Sequence, residues 1–331
     1  MTLSRSLGYN LFVVRRKKRH GMTAAACALL FFSSGCGEKP APRSLGLLDT
    51  GGDSDAVVFD CSTVPDAPLS VEQVAGAIGA RDVAFDDTGY LTGSDMTTIF
   101  RTKHDGTSTL FVANVAADTG MHYLSNGDLV AAEGSVLRKI TPDGVSTQLT
   151  SASGAYLYGV TVGPDGMLYV TYGGPGSGGD VRRIDPVEDT GETIVSGLFA
   201  RLVDFTPDHS RMIIGAMGGR VYTVELDGNL DPEGEPELLA TIEGNEEMDM
   251  GGFGVDICGN IYVSDHDTMK LHRITPDGDV SVLHEWTEQS YGHGLEWGSG
   301  VGGWDDESIY LPQPYGGFGV VRIEIGVPHS Y

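Results

Sequence analysis

The chain has 331 residues, of which 48 are glycine, and a formal net charge of −25. Six of its 21 Lys and Arg lie in residues 1–35, so the rest of the chain carries 15 basic against 46 acidic side chains. A nucleic-acid-binding protein needs a basic face to displace counterions from phosphate, so this balance excludes a nucleic-acid partner. The acidity fits solubility in a salty or crowded compartment, or attraction of a divalent cation or a basic partner.

Residues 1–35 have the layout of a secretory signal peptide. A basic cluster from Arg15 to Arg19 precedes an apolar stretch, 22–32, that is too short for a permanent membrane span. The following Ser33-Ser34-Gly35-Cys36 resembles a bacterial lipobox, in which the cysteine is acylated and becomes the new amino terminus. An ordinary cleaved signal with an incidental Cys36 is the alternative. The resemblance implies an exported lipoprotein of the bacterial outer membrane or periplasm, held at the membrane through its lipid only.

The rest of the chain divides into a tether and a folded domain. Residues 36–55 are rich in Pro, Gly and Asp and lack periodicity, which predicts a flexible tether. No apolar run after residue 40 reaches the roughly 18 residues of a membrane span, so residues 56–331 are expected to form a soluble domain.

The domain contains one hairpin pattern six times. Each copy has an alternating apolar strand, a turn with Gly, Asp, Asn or Pro, and a second strand rich in β-forming residues. The copies occupy residues 82–95, 121–134, 159–173, 202–216, 253–266 and 294–313. A third strand follows each copy, as in "LRKITPDG" and "LHRITPDG". With almost no helical periodicity, this pattern predicts an all-β, six-bladed β-propeller of four-stranded antiparallel blades.

The last copy ends after its third strand, so a segment within residues 56–74 is expected to supply the outer strand of blade six and close the ring. Cys61 lies in this segment, and Cys258 lies in the first hairpin turn of blade five. As the two cysteines outside the signal and the lipobox, they are predicted to form a disulfide in an oxidising compartment. A catalytic thiol at Cys258 and a zinc site are weaker interpretations, since no neighbouring base or paired metal-ligand spacing accompanies the cysteine.

The phrases "GPDGMLYVT", "VDICGNIYVSD" and "HRITPDG" resemble the senescence marker protein, gluconolactonase and regucalcin family, over about residues 80–325. The resemblance implies a divalent metal at the central mouth, held by Glu, Asn and Asp at three strand starts. Here those positions read Arg81, Tyr158 and Gly251, so the metal ligands are not retained. Asp82 and Asp249 lie one and two residues away, which leaves a relocated metal site open. A Ca²⁺ or Zn²⁺ cofactor is expected only if the metal site is relocated in this way.

The residues two positions before the first apolar residue of each inner strand are expected to surround the mouth. They are Arg81, Thr119, Tyr158, Arg201, Gly251 and His293. Arg81, Tyr158, Arg201 and His293 form a donor-rich set that suits a carboxylate, sulfate or phosphate. The alternative is a plugged channel in which the arginines pair with Asp82 and Asp204.

One layer deeper, His122, Asp204 and Glu296 are candidate acid or base groups, or they bind ordered water only. The sequence therefore predicts an exported propeller that binds a small molecule, with a small acidic ligand favoured, or an envelope protein. The alternative is a metal-dependent lactonase or esterase-type hydrolase. The fold alone does not distinguish a binding protein from a hydrolase.

Overall fold

The computed structural model describes residues 59–330, except 68, 118, 152–154, 175–178, 244–249, 266–267, 287–292 and 316. The signal peptide, the acylation candidate Cys36 and the tether lie outside these residues, as does Asp249. Within the described residues, no helix is long and apolar enough to cross a membrane.

The described residues form six four-stranded antiparallel sheets, which confirms the predicted six-bladed β-propeller. A single-turn 3₁₀ helix, Cys61–Thr63, precedes the first strand, β1 (Val71–Val74). Blade one comprises β2 (Val83–Phe85), β3 (Tyr90–Ser94), β4 (Thr98–Lys103) and β5 (Ser108–Ala113). Blade two comprises β6 (Met121–Tyr123), β7 (Leu129–Glu133), β8 (Val136–Ile140) and β9 (Ser146–Ser151).

The later blades repeat this order. Blade three comprises β10 (Tyr156–Val162), β11 (Leu168–Gly173), β12 (Asp180–Asp185) and β13 (Thr190–Val195). Blade four comprises β14 (Ala200–Phe205), β15 (Arg211–Ala216), β16 (Arg220–Leu226) and β17 (Pro232–Thr241). Blade five comprises β18 (Met250–Val255), β19 (Ile261–Asp265), β20 (Lys270–Ile274) and β21 (Val280–Glu285). Blade six comprises β22 (Glu296–Trp297), β23 (Ser308–Gln313), β24 (Gly319–Glu324) and β1.

Aspartates fix the first hairpin turns. Asp86 accepts hydrogen bonds from the backbone N–H groups of Thr88 and Tyr90. Asp256 does the same for Cys258 and Asn260. An aspartate in this position mimics a backbone turn. The glycines that follow, including Gly259 at φ +80°, adopt the left-handed conformation that a side chain disfavours.

The ring is joined between its first and last strands. β1 pairs with β24, with Val71 opposite Ile323 and Val74 opposite Val320. The outer strand of blade six therefore comes from the segment in which the sequence analysis placed it. Cys61 and Cys258 form the predicted disulfide, with their Cα atoms 5.7 Å apart, so Cys258 is not a free thiol.

The hydrophobic core lies between neighbouring blades. One cluster joins Tyr262 and Leu271 of blade five to Trp297 and Leu311 of blade six. These large side chains are almost fully buried. Each blade thus hides its faces against its neighbours, and the inner strands are left to surround the central axis.

Candidate ligand-binding site

The residues at the starts of the six inner strands line one cavity of about 360 Å³. Each blade contributes one of them. They are Arg81, Thr119, Tyr158, Arg201, Gly251 and His293, and Tyr156, Leu202 and Met250 complete the wall. The structure thus brings together all the residues that strand periodicity placed at the mouth. The volume lies in the range of small-molecule sites, roughly 300–1,000 Å³.

Aromatic and backbone contacts hold the polar side chains of the mouth. The guanidinium carbon of Arg201 lies 3.9 Å from the centroid of the Tyr158 ring. The Tyr156 ring packs against the other tyrosine at 5.3 Å between centroids. Nδ1 of His293 lies 3.2 Å from the carbonyl oxygen of Arg81, which joins blade six to blade one. These contacts position the Arg201 guanidinium and the His293 imidazole before any ligand arrives.

The three positions that correspond to metal ligands in the resembling family do not fit a metal ion. Arg81 brings a positive charge, Tyr158 is stacked with Arg201, and Gly251 has no side chain. A Cβ atom on Gly251 would lie 2.2 Å from the carbonyl oxygen of His293, so the backbone leaves no room for one. Among the described residues, no three His, Cys, Asp or Glu side chains are grouped to hold a metal.

The deeper candidates His122, Asp204 and Glu296 line a smaller chamber of about 50 Å³ beneath the mouth. Two titratable residues that were not among the deeper candidates, Asp82 and His329, join them there. His329 comes from the chain after β24, where an isolated bridge pairs it with Asp256. No strand pattern marks this residue, because the segment contributes one bridge and not a strand.

Backbone N–H groups donate hydrogen bonds to the carboxylates of Asp82 and Asp204. Asp82 accepts a hydrogen bond of 2.6 Å from the N–H of Met121. Asp204 accepts bonds from the N–H groups of Phe205 and Val255, both 2.8 Å. Nε2 of His329 lies 3.6 Å from the Asp204 carboxylate. These partners differ from the arginine pairs of the plugged-channel alternative.

The depth of the chamber changes its acid–base properties. Burial raises the pKa of Glu296 to about 7; nearby His329 opposes the rise and Asp204 adds to it. Burial likewise raises the pKa of Asp82 well above its usual range, with a further contribution from Glu296. Burial, with a smaller contribution from the neighbouring His329, lowers the pKa of His122 to about 4. The chamber thus disfavours charge of either sign on these three groups.

Comparison with protein-family models and with curated proteins finds no match to this sequence. Solved structures do match. The calcium-binding protein regucalcin from Agrobacterium tumefaciens aligns with a TM-score of 0.64 and 15% identity, over 79% of this chain and 96% of that chain. A gluconolactonase from Xanthomonas campestris aligns with a TM-score of 0.62 and 15% identity, over 78% and 89%.

A third match has a different description. An auxiliary nutrient binding protein from Bacteroides thetaiotaomicron aligns with a TM-score of 0.59 and 13% identity, over 76% of this chain and 75% of that chain. Identities this low carry information about architecture and not about chemistry. The chain therefore shares the six-bladed propeller fold of gluconolactonase and regucalcin structures.

Proposed function

We propose that this propeller is a binding protein for a small organic acid, which it holds by the carboxylate in the cavity at its mouth. The observation that carries the proposal is the convergence of Arg81, Arg201 and His293 on one cavity, beside Tyr158. Guanidinium groups suit carboxylates because their N–H donors match the two oxygens.

The wall of the cavity supports a ligand with an apolar part. Leu202, Met250 and the tyrosine rings line it next to the cationic groups. A mixed wall of this kind, with a few polar groups that fix orientation, is typical of small-molecule sites. A binding role is also compatible with the fold, since one structural neighbour is described as an auxiliary nutrient binding protein.

The proposal includes export and a lipid anchor at Cys36. The disulfide between Cys61 and Cys258 supports an oxidising compartment, because such bonds persist outside the cytosol. Cys36→Ser should move the protein from the membrane fraction to the soluble fraction of bacterial cells. Mass spectrometry of the amino-terminal peptide should find acyl chains on the wild-type cysteine. An unmodified cysteine in a membrane-free protein would exclude the anchor.

Calorimetric titration with 3-phenylpropanoate and hexanoate tests the binding function. Arg201→Met and Arg81→Met should each weaken binding at least about tenfold, since a hydrogen bond to a charged group contributes roughly 1.5–3 kcal/mol. Arg211→Met is the matched control, because Arg211 is half exposed and pairs with Glu225 away from the mouth. The control should stay within about twofold of wild type.

The melting temperature of each unliganded variant shows whether it folds, and Arg201→Lys provides a second variant that retains the charge. The proposal fails if neither acid binds the wild type. It also fails if both acids bind equally well to the folded arginine variants. Stabilisation by Ca²⁺ or Zn²⁺ alone would favour the hydrolase alternative.

A further inference from the structure

The mouth and the chamber beneath it are adjacent. Thr119, Leu202 and Gly251 line both. The inner strands pass from one layer to the other, so Arg201 lies three residues before Asp204 and His293 three before Glu296. At about 3.3 Å per residue, a cationic layer lies roughly 10 Å above an acidic one. Asp82 is nearer still, directly after Arg81.

Among the described residues that line the chamber, carboxyl groups outnumber imidazoles. Three carboxyl groups, on Asp82, Asp204 and Glu296, face the chamber together with two imidazoles, on His122 and His329. Burial disfavours the ionised forms of Asp82 and Glu296 and the protonated form of His122. A cation placed here from outside would restore the ionised carboxylates through Coulomb attraction.

Thr119 gives independent evidence for a ligand at the junction of the two layers. Thr119 is only 9% exposed, and its Oγ1 has no hydrogen-bond partner among the residues that the structure describes. Buried hydroxyl groups almost always have a partner, because an unsatisfied one is costly. A polar ligand that passes between the layers would supply it.

The net charge of the protein also favours a ligand that carries a positive group. The sequence carries 46 acidic against 21 basic side chains, so a purely anionic ligand is repelled at long range. A ligand with one negative and one positive group has no net charge and avoids this repulsion.

We infer that the site takes an amino acid whose amino group is separated from its carboxylate by several methylene groups, with the carboxylate on Arg81 and Arg201 and the protonated amino group directed towards Glu296 and Asp82. This inference rests on the proposed function, because it uses the same arginines for the carboxylate. It adds the class of ligand.

The experiment compares acids that differ only in the amino group. One pair is L-phenylalanine and 3-phenylpropanoate. The other pair is 6-aminohexanoate and hexanoate, and the amino group of 6-aminohexanoate extends further towards the chamber. Calorimetric titration of the wild-type protein at neutral pH should show that 6-aminohexanoate binds about tenfold more tightly than hexanoate or better, whereas L-phenylalanine, whose amino group is next to its carboxylate, should bind within about twofold of 3-phenylpropanoate. The ratio within a pair is the readout.

Glu296→Gln should reduce that ratio to within about twofold of unity, since the amide cannot ionise. Glu237→Gln, an exposed position on β17, is the matched control and should leave the ratio unchanged. Asp82→Asn is the second test if Glu296→Gln does not fold, as judged by its melting temperature.

The outcomes separate the two proposals. Equal binding of 6-aminohexanoate and hexanoate overturns the amino-acid assignment and leaves the binding of acids intact. Failure of all four compounds to bind overturns both. Stabilisation by Ca²⁺ alone that disappears in Glu296→Gln also overturns the assignment, because the chamber would then hold a metal.

Discussion

The Arg201 guanidinium and the Tyr158 ring are stacked at the mouth of the propeller, with 3.9 Å between the guanidinium carbon and the ring centroid. The two residues come from neighbouring blades, since Tyr158 lies on β10 and Arg201 on β14. The ring therefore restricts the arginine before a ligand binds, which lowers the entropy lost on binding.

Tyr158→Leu should weaken the binding of 3-phenylpropanoate about 2- to 30-fold, because a cation–π contact contributes roughly 0.5–2 kcal/mol. Tyr158→Phe retains the aromatic face and should bind within about twofold of wild type. Calorimetric titration of both variants checks this. Equal losses in the two variants would show that the hydroxyl group, and not the ring face, is what matters.

Glu296→Gln should change the dependence of stability on pH. Because the pKa of Glu296 is raised from 4.5 to about 7 in the folded protein, the folded state holds more protons than the unfolded state between these values. This residue therefore costs stability progressively as the pH rises from about 4.5 to 7, and by a constant amount above that. The variant should gain stability relative to wild type over the same interval, on the order of 3 kcal/mol at pH 8.

Urea unfolding at pH 5, 6, 7 and 8 measures that difference, with Glu237→Gln as the exposed control. His122 contributes with the opposite sign, because a lowered histidine pKa makes stability rise with pH between about 4 and 6.5. The wild-type curve thus combines opposing effects from one chamber, which Asp82, Asp204 and His329 also face. A difference between Glu296→Gln and wild type that does not change with pH would contradict the prediction.

Loss of the disulfide should destabilise the propeller. Replacing both Cys61 and Cys258 by Ser should lower the free energy of unfolding by about 2–5 kcal/mol, since the bond joins residues 197 positions apart and restricts the unfolded chain. Urea unfolding of wild type with reductant should match the variant without it. If reductant destabilises the double variant as well, its effect does not come from this bond.

Gly251→Asp restores a carboxylate at a position where the resembling family has a metal ligand, but it should not create a calcium site. The Cβ atom would lie 2.2 Å from the carbonyl oxygen of His293, so the inner strand of blade six must move. We expect a loss of at least about 1–3 kcal/mol in stability, as for overpacked cores, and no rise in melting temperature with Ca²⁺. A calcium-dependent rise would show that the backbone adapts to the aspartate.

The fold was accessible from the sequence because its signals are local and repeated. Turn aspartates such as Asp86 and Asp256 accept hydrogen bonds within their own hairpins, and apolar residues alternate on either side of them. Six copies of one pattern also fix the spacing of the inner strands. That spacing was sufficient to group Arg81, Tyr158 and Arg201 at one end of the axis.

The chamber could be predicted only in part. His122, Asp204 and Glu296 follow from strand periodicity, but His329 reaches the axis through a single bridge beyond the last strand. Asp82 turns towards the chamber because it accepts the N–H of Met121 from the next blade. Contacts of this kind join segments far apart in the chain and leave no mark on local composition. The altered pKa of Glu296 likewise depends on depth, which a linear pattern does not contain.

The pairing of β1 with β24 also determines when the molecule can be completed. The earliest strand to be synthesised has the last strand as its neighbour, so it must wait unpaired while five blades assemble. Cys61 waits as well, because its partner follows 197 residues later. Contacts between such distant segments form slowly, and the open edge of β24 is vulnerable to other chains in the interval. Biogenesis is therefore most sensitive to crowding between the emergence of the final hairpin and its capture by residues 71–74, and to premature oxidation of Cys61 before Cys258 emerges.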